Sequence, residues 1–177
     1  MGREVRRVPC NWVHPKDERG RHIPLFTDFK KRAEQWDLGK IKWDEGLKWD
    51  WMHKVWIPKD EDDAFMSYPN AEGERPRPEE YMPDWPEEEC THFQMYETCS
   101  EGTPISPVLS SPEILAHWLA DNRASAFGDM TASCEQWLAM IGEGSAVSAM
   151  IAGGVIMPGV ALASQTPKPP PLIEHKA

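Results

Sequence analysis

Seventeen prolines and twelve glycines in a chain of 177 residues leave little room for long regular structure. Proline fixes φ, has no amide hydrogen to donate and pushes its predecessor out of the helical region. It is therefore confined to turns, first turns of helices and sheet edges. The chain reads as short elements joined by many turns. The expected class is α+β: a small, mostly antiparallel sheet with about three helices, an extended N-terminal arm, an acidic insert and a Pro-rich C-terminal tail that is disordered when free. The apolar share is only 40% and the mean hydropathy is −0.59, so any core is economical. Nine tryptophans supply much of it, because each buries a large area per residue. The length suits one domain of ordinary size.

Five segments follow from composition and periodicity. Residues 1–25, punctuated by Pro9, Pro15, Gly20 and Pro24, read as a basic extended arm plugged into the body by Trp12. Residues 26–56 read as a Trp-rich helical segment. Phe26, Phe29, Ala33 and Trp36, then Trp43, Leu47 and Trp51, keep helical spacing, as one helix or as two with a break near Gly39. Residues 57–90 read as an acidic loop or insert pinned at a few aromatic points. Residues 91–163 read as the α+β core. It holds a strand over Thr91–Glu97, a short edge strand over Ile105–Leu109, a helix capped by Ser111-Pro112-Glu113, and a helix capped by Ser133 that ends at Gly142. Apolar strands from Ala146 to Ala163 complete it, broken at Gly153-Gly154 and Pro158-Gly159. Residues 164–177, with Pro167-Lys168-Pro169-Pro170-Pro171, form the polyproline-like tail.

Charge divides the chain differently. Residues 57–101 hold fourteen Asp and Glu against three Lys and Arg, whereas residues 1–56 hold thirteen basic side chains against nine acidic ones. A segment this acidic repels phosphate and attracts a basic surface. Asp60, Glu61, Asp62, Asp63, Glu79, Glu80 and Trp85 are the expected contact residues for a protein partner. The arm carries Arg3, Arg6, Arg7, Lys16, Arg19 and Arg21 around Trp12, a combination able to bind phosphate and stack a base. The whole chain has a pI near 5.1, however, so direct nucleic-acid binding is not expected, and pairing of the arm with the acidic middle is the simpler account. Residues 145–166 carry no charge, but serines, Gly153-Gly154 and Pro158-Gly159 interrupt them, so a membrane span is not expected there. No apolar run follows the basic N-terminus. The four cysteines are thus expected to be reduced thiols in a cytoplasm.

No segment carries a decisive catalytic signature, and a cofactor is not expected. Cys10, His14, Cys90 and His92 form a zinc-capable set, although neither pair has the usual ligand spacing. Cys99 beside a turn offers a nucleophile with no base fixed by sequence; His53, His92 and His117 are all available. Gly153-Gly154 lacks the Gly-Lys-Ser/Thr of a phosphate loop. The turn from Ser100 to Pro107 holds Ser100, Glu101, Thr103 and Ser106 between a glycine and prolines, so it is a candidate small-ligand site or simply a rigid connection between strands.

Val5-Arg6-Arg7-Val8-Pro9 with Asn11-Trp12 and His14-Pro15-Lys16-Asp17, and the run from Gln94 through Val108, resemble an uncharacterised family encoded by bacteriophages and prophages. The resemblance extends over most of residues 3–155 and carries no catalytic residues with it. It implies a small accessory protein acting in the cytoplasm of an infected bacterium. The leading expectation is a non-enzymatic binding protein that inhibits a host factor, such as a defence component, through an acidic surface. The alternatives are a minor virion structural protein and a nucleotide sponge or hydrolase.

Overall fold

The computed structural model describes residues 2–98, 102–152 and 155–163. Cys99, Ser100, Glu101, Gly153, Gly154 and residues 164–177 lie outside them. The fold is α+β. The chain divides into two compact units, Met1–Pro24 with Asp84–Ala177, and Leu25–Pro83.

The first unit is built on a four-stranded antiparallel sheet. Its β1 strand (Arg3–Val8) pairs on one side with β4 (His92–Glu97) and on the other with β6 (Ser145–Ala146), and β5 (Thr103–Pro104) edges β4. The start of the expected arm is therefore a central strand. Its sequence, Arg-Glu-Val-Arg-Arg-Val, hides this because arginine takes positions that face packed layers. A buried guanidinium must find partners for its N–H groups. Arg3 donates from Nε to the Ser125 carbonyl at 2.8 Å and from Nη2 to Ser125 Oγ at 3.2 Å. Arg6 donates to Glu4 at 3.0 Å and lies 4.2 Å from the centre of the Tyr96 ring.

Strand alternation gives this sheet two different faces. Val5, Phe93 and Met95 point to a helical layer made of α3 (Pro112–Asp121), α4 (Cys134–Glu143) and α5 (Gly159–Ala163). Leu115, Leu119, Trp137, Met140 and Val160 are fully buried there. Both expected caps form: Ser111 accepts from the Ile114 amide, and Ser133 and Gln136 make a reciprocal capping box. Gly142 stays inside α4; the cap is Gly144, whose φ of 84° suits glycine. A hairpin, β7 (Ala149–Ala152) with β8 (Val155–Pro158), precedes α5, so the last expected strand is a helical turn. No helix among the described residues is long and apolar enough to cross a membrane.

The second unit consists of α1 (Phe29–Asp44), a hairpin of β2 (Leu47–Asp50) and β3 (Val55–Pro58), and the short α2 helix (Tyr68–Glu72). Helical spacing thus overran the true boundary. Gly46, at φ 88°, ends the helical run, and Leu47 and Trp51 belong to the hairpin. Gly39 does not break α1. A β-carbon there would overlap the Tyr68 hydroxyl, so glycine lets α2 pack close. Tyr68 sits against Trp36 and Trp43, with ring centres 5.1 and 5.8 Å away. The acidic insert is held by indole donors: Trp36 to the Gly73 carbonyl at 2.9 Å and Trp43 to the Met66 carbonyl at 3.2 Å.

Candidate functional site

Two surfaces gather the residues singled out by sequence. The first is in the Leu25–Pro83 unit. Asp60 and Asp63 both grip Lys48, at 2.6 and 2.7 Å, and Asp60 also accepts from the Asp62 and Asp63 amides. Lys48 holds the Asp60 carboxyl below its ordinary range. These two acids fix the loop to the hairpin. Arg77 pairs with Glu79 and Glu80, and Arg75 makes a two-pronged bridge to Asp37 at 2.8 Å. Within this unit fourteen acids meet ten bases, so the charge segregation of the linear sequence is largely cancelled by folding. What remains is specific. Glu61, Asp62, Glu72 and Glu74 are exposed and make no ion pair among the described residues. Of the large apolar side chains that the same unit exposes, three are the most open to solvent: Trp51 at 74%, Met52 at 84% and Phe65 at 95%. Trp51 and Met52 form the hairpin turn, and Phe65 closes the turn of 3-10 helix (Asp63–Phe65) after the acidic run. Sequence reading missed all three because it assigned Trp51 to a helical stripe and Phe65 to a pinning contact.

Trp85 is in the other unit, where its ring meets Trp12 edge-on at 4.7 Å. Beside it the Glu87–Glu89 turn is exposed, and Arg7 reaches Glu87 at 3.3 Å. Arg3 also lies 4.0 Å from Glu97 across the β1–β4 pair, and Arg6 pairs with Glu4 within β1.

The second surface is an open cleft of about 500 Å³ in this unit. Its floor is the face of the sheet opposite the helices. Residues after β1 fold back across that face and bring Trp12, His14 and His22 over Gln94 and Tyr96; the Pro104–Val108 run and Trp118 of α3 complete the walls. One hydroxyl organises it. Tyr96 Oη receives the Trp12 indole N–H at 3.1 Å, donates to Gln94 Oε1 at 2.8 Å, and lies 3.2 Å from His14 Nδ1. Gln94 is oriented because its amide donates to the Ser106 carbonyl at 2.8 Å. The Ile23 carbonyl, 2.6 Å from His14 Nε2, can only accept, so Nε2 carries the proton and the neutral ring leaves Nδ1 as an acceptor. Tyr96 then has one proton for two acceptors, and the shorter contact, to Gln94, takes it.

Burial, and then the charges of His22 and Arg6, push the His14 ring below the usual histidine range against the opposing pull of the Ile23 carbonyl. Burial and Lys16 lower His22 as well. The direction fixes a pH dependence. Below about 6.5 the unfolded chain takes up protons that the folded rings refuse, so stability is complete above that pH and falls as the solution is acidified through it. The melting temperature of the wild type is expected to drop between pH 7.5 and pH 5.5, and that of His14→Gln to drop less. Equal slopes in the two proteins, measured by calorimetry, would remove His14 as the cause.

Among the candidate ligand residues, Ser106 lines this cleft but its hydroxyl is committed: it accepts from the Met95 amide and donates to the Pro107 carbonyl, both at 2.9 Å. It is a brace for the turn, with no base placed to activate it. Thr103 lies in β5 opposite Glu97, while Ser100 and Glu101 fall outside the described residues. The zinc-capable residues are dispersed in role. Cys10 is exposed, His14 Nε2 is bound to the Ile23 carbonyl, His92 Nδ1 meets Thr91 Oγ1 at 2.9 Å, and burial pushes the half-buried Cys90 thiol up. Among the described residues no group of three or more His, Cys, Asp or Glu converges on a metal-sized position. No protein-family model, no curated protein and no solved structure matches this chain.

Proposed function

We propose that this protein is a non-enzymatic binding protein that inhibits a host factor, engaging a basic, partly apolar protein surface through the Leu25–Pro83 unit. The setting, a phage-encoded accessory protein in a bacterial cytoplasm, comes from the family resemblance of its N-terminal and Gln94–Val108 segments. The observation that carries the reading is the pairing of unneutralised carboxylates, Glu61 and Asp62, with Trp51, Met52 and Phe65 held in water by the same small unit. Exposed large apolar side chains mark interaction surfaces, and aromatic anchors supply most of the binding energy at interfaces. Unpaired charge at the rim steers the encounter and selects the partner's sign. Asp60 and Asp63 also hold Lys48.

Affinity capture from infected cells, with a purified captured protein then titrated directly, tests this. Trp51→Ala with Phe65→Ala is expected to weaken binding at least thirtyfold, as loss of about 2 kcal/mol at an anchor does. Glu61→Lys with Asp62→Lys is expected to slow association and flatten its salt dependence. A partner held equally by both variants, or the chain recovered as a component of purified particles, would overturn the reading.

A further inference from the structure

We infer that the cleft of the first unit is a binding site for a small planar aromatic anion, a flat ring that carries one carboxylate or phosphate group. This goes beyond the proposed partner binding and does not depend on it. The cleft gathers basic groups without acids. Lys16 and His22 are partners in an antiparallel bridge, which sends their side chains to the same side of the fold-back, and both line the cleft. Lys16 makes no ion pair among the described residues. Its neighbour Asp17 is spent elsewhere: it accepts from the Arg19 and Arg21 amides at 2.9 Å and from Arg21 Nε at 2.8 Å. The His14 ring stands 5.4 Å from that of His22. No Asp or Glu is among the described residues that line the cleft, although the chain carries 29 of them. Basic groups held side by side in a concave place repel one another, and an anion set between them relieves that repulsion.

The rest of the lining selects a flat ring. The volume of about 500 Å³ is that of a small-molecule site, for which the usual range is about 300–1,000 Å³. Trp12 and Trp118 stand with Ile105 and Val108 as apolar walls. The Trp12 ring is already fixed, by its N–H to Tyr96 at 3.1 Å and by its edge contact with Trp85 at 4.7 Å, so little freedom is lost when a ligand packs on it. The floor offers little to a neutral polyhydroxyl ligand such as a sugar. Gln94 is bonded to the Ser106 carbonyl and to the Tyr96 hydroxyl, and the Ser106 hydroxyl is committed to its own turn. Aromatic walls with a basic, acid-free rim therefore suit a ring and a negative charge in one molecule, each part adding to the other.

The test titrates the full chain with 2-naphthoate and with AMP. The neutral counterparts 2-naphthamide and adenosine, and the ringless anions acetate and inorganic phosphate, serve as controls. At least one of the two aromatic anions is expected to bind about tenfold or more tightly than its neutral and ringless controls, and the tighter of the two tells a carboxylate site from a phosphate site. Lys16→Glu is expected to weaken it by about tenfold or more. Naphthoate stays ionised from about pH 8 to about pH 6, while an anion beside Lys16 and His14 helps His22 take up its proton; binding should therefore tighten about threefold or more as the pH falls through that range. Indole N–H resonances locate the probe, that of Trp118 being assigned by its loss in Trp118→Phe and that of the exposed Trp51 by its loss in Trp51→Phe. The Trp118 resonance should move and that of Trp51 should not. Failure of both aromatic anions to bind, equal binding of the neutral counterparts, an unchanged affinity in Lys16→Glu, a flat pH profile, or a shift of Trp51 in place of Trp118 would each overturn the inference.

Discussion

Trp137→Ala is expected to lower the unfolding free energy by about 3–5 kcal/mol, the range for removing a buried aromatic ring from a core. Trp137 is fully buried in α4 and is surrounded by Met95, Leu115, Leu119, Met140 and Val160. Its indole N–H finds no acceptor among the described residues, so the ring contributes through packing alone. Truncation leaves a cavity that three helices and a sheet cannot close together, and the lining atoms lose their dispersion contacts. Trp137→Phe is expected to cost about half as much or less, because it refills most of the space and removes a buried donor that nothing satisfies. At about 2–4 °C per kcal/mol for a chain of this size, the alanine variant should melt roughly 10 °C lower. A shift under about 2 °C would show that the helical layer is not organised around this ring.

Tyr96→Phe is expected to lower stability by about 2–3 kcal/mol, though it removes a single oxygen. That oxygen accepts from Trp12 and donates to Gln94 at once. Without it, the Trp12 N–H and the Gln94 carbonyl both lose a partner, and each stranded group costs desolvation that was previously offset. The loss should be visible locally as well. Trp12 is no longer anchored, so its indole resonance and its edge contact with Trp85 should both change, while the α3–α4 core stays intact. Near-wild-type melting would mean that water or rearrangement replaces the hydroxyl, and the cleft floor would not be a fixed network.

Sequence and structure agree where the signal is local. Ser111-Pro112-Glu113 and Ser133 with Gln136 announce helix starts because a side-chain oxygen next to an unpaired amide is enough to make a cap. Thr91–Glu97 alternates because one face meets the helices and the other meets the fold-back over the sheet. The 47–58 hairpin was not legible: Trp43, Leu47 and Trp51 fit helical spacing, and only the left-handed Gly46 and the pairing of Trp49 with Trp56 decide otherwise.

By itself the sequence determined the α+β class, the two main caps, the shortness of most elements and the net charge. Those depend on residues close together in the chain, or on totals. Tertiary structure alone decided that Arg3–Val8 is a central strand, that the acids at 60 and 63 hold Lys48, and that Trp12, His14, Gln94 and Trp118 meet around one cleft. The physical reason is partnership at a distance. A buried arginine, a carboxylate or a phenol oxygen is stable only when its hydrogen bonds are completed, and the groups that complete them here lie as far as 122 residues away along the chain.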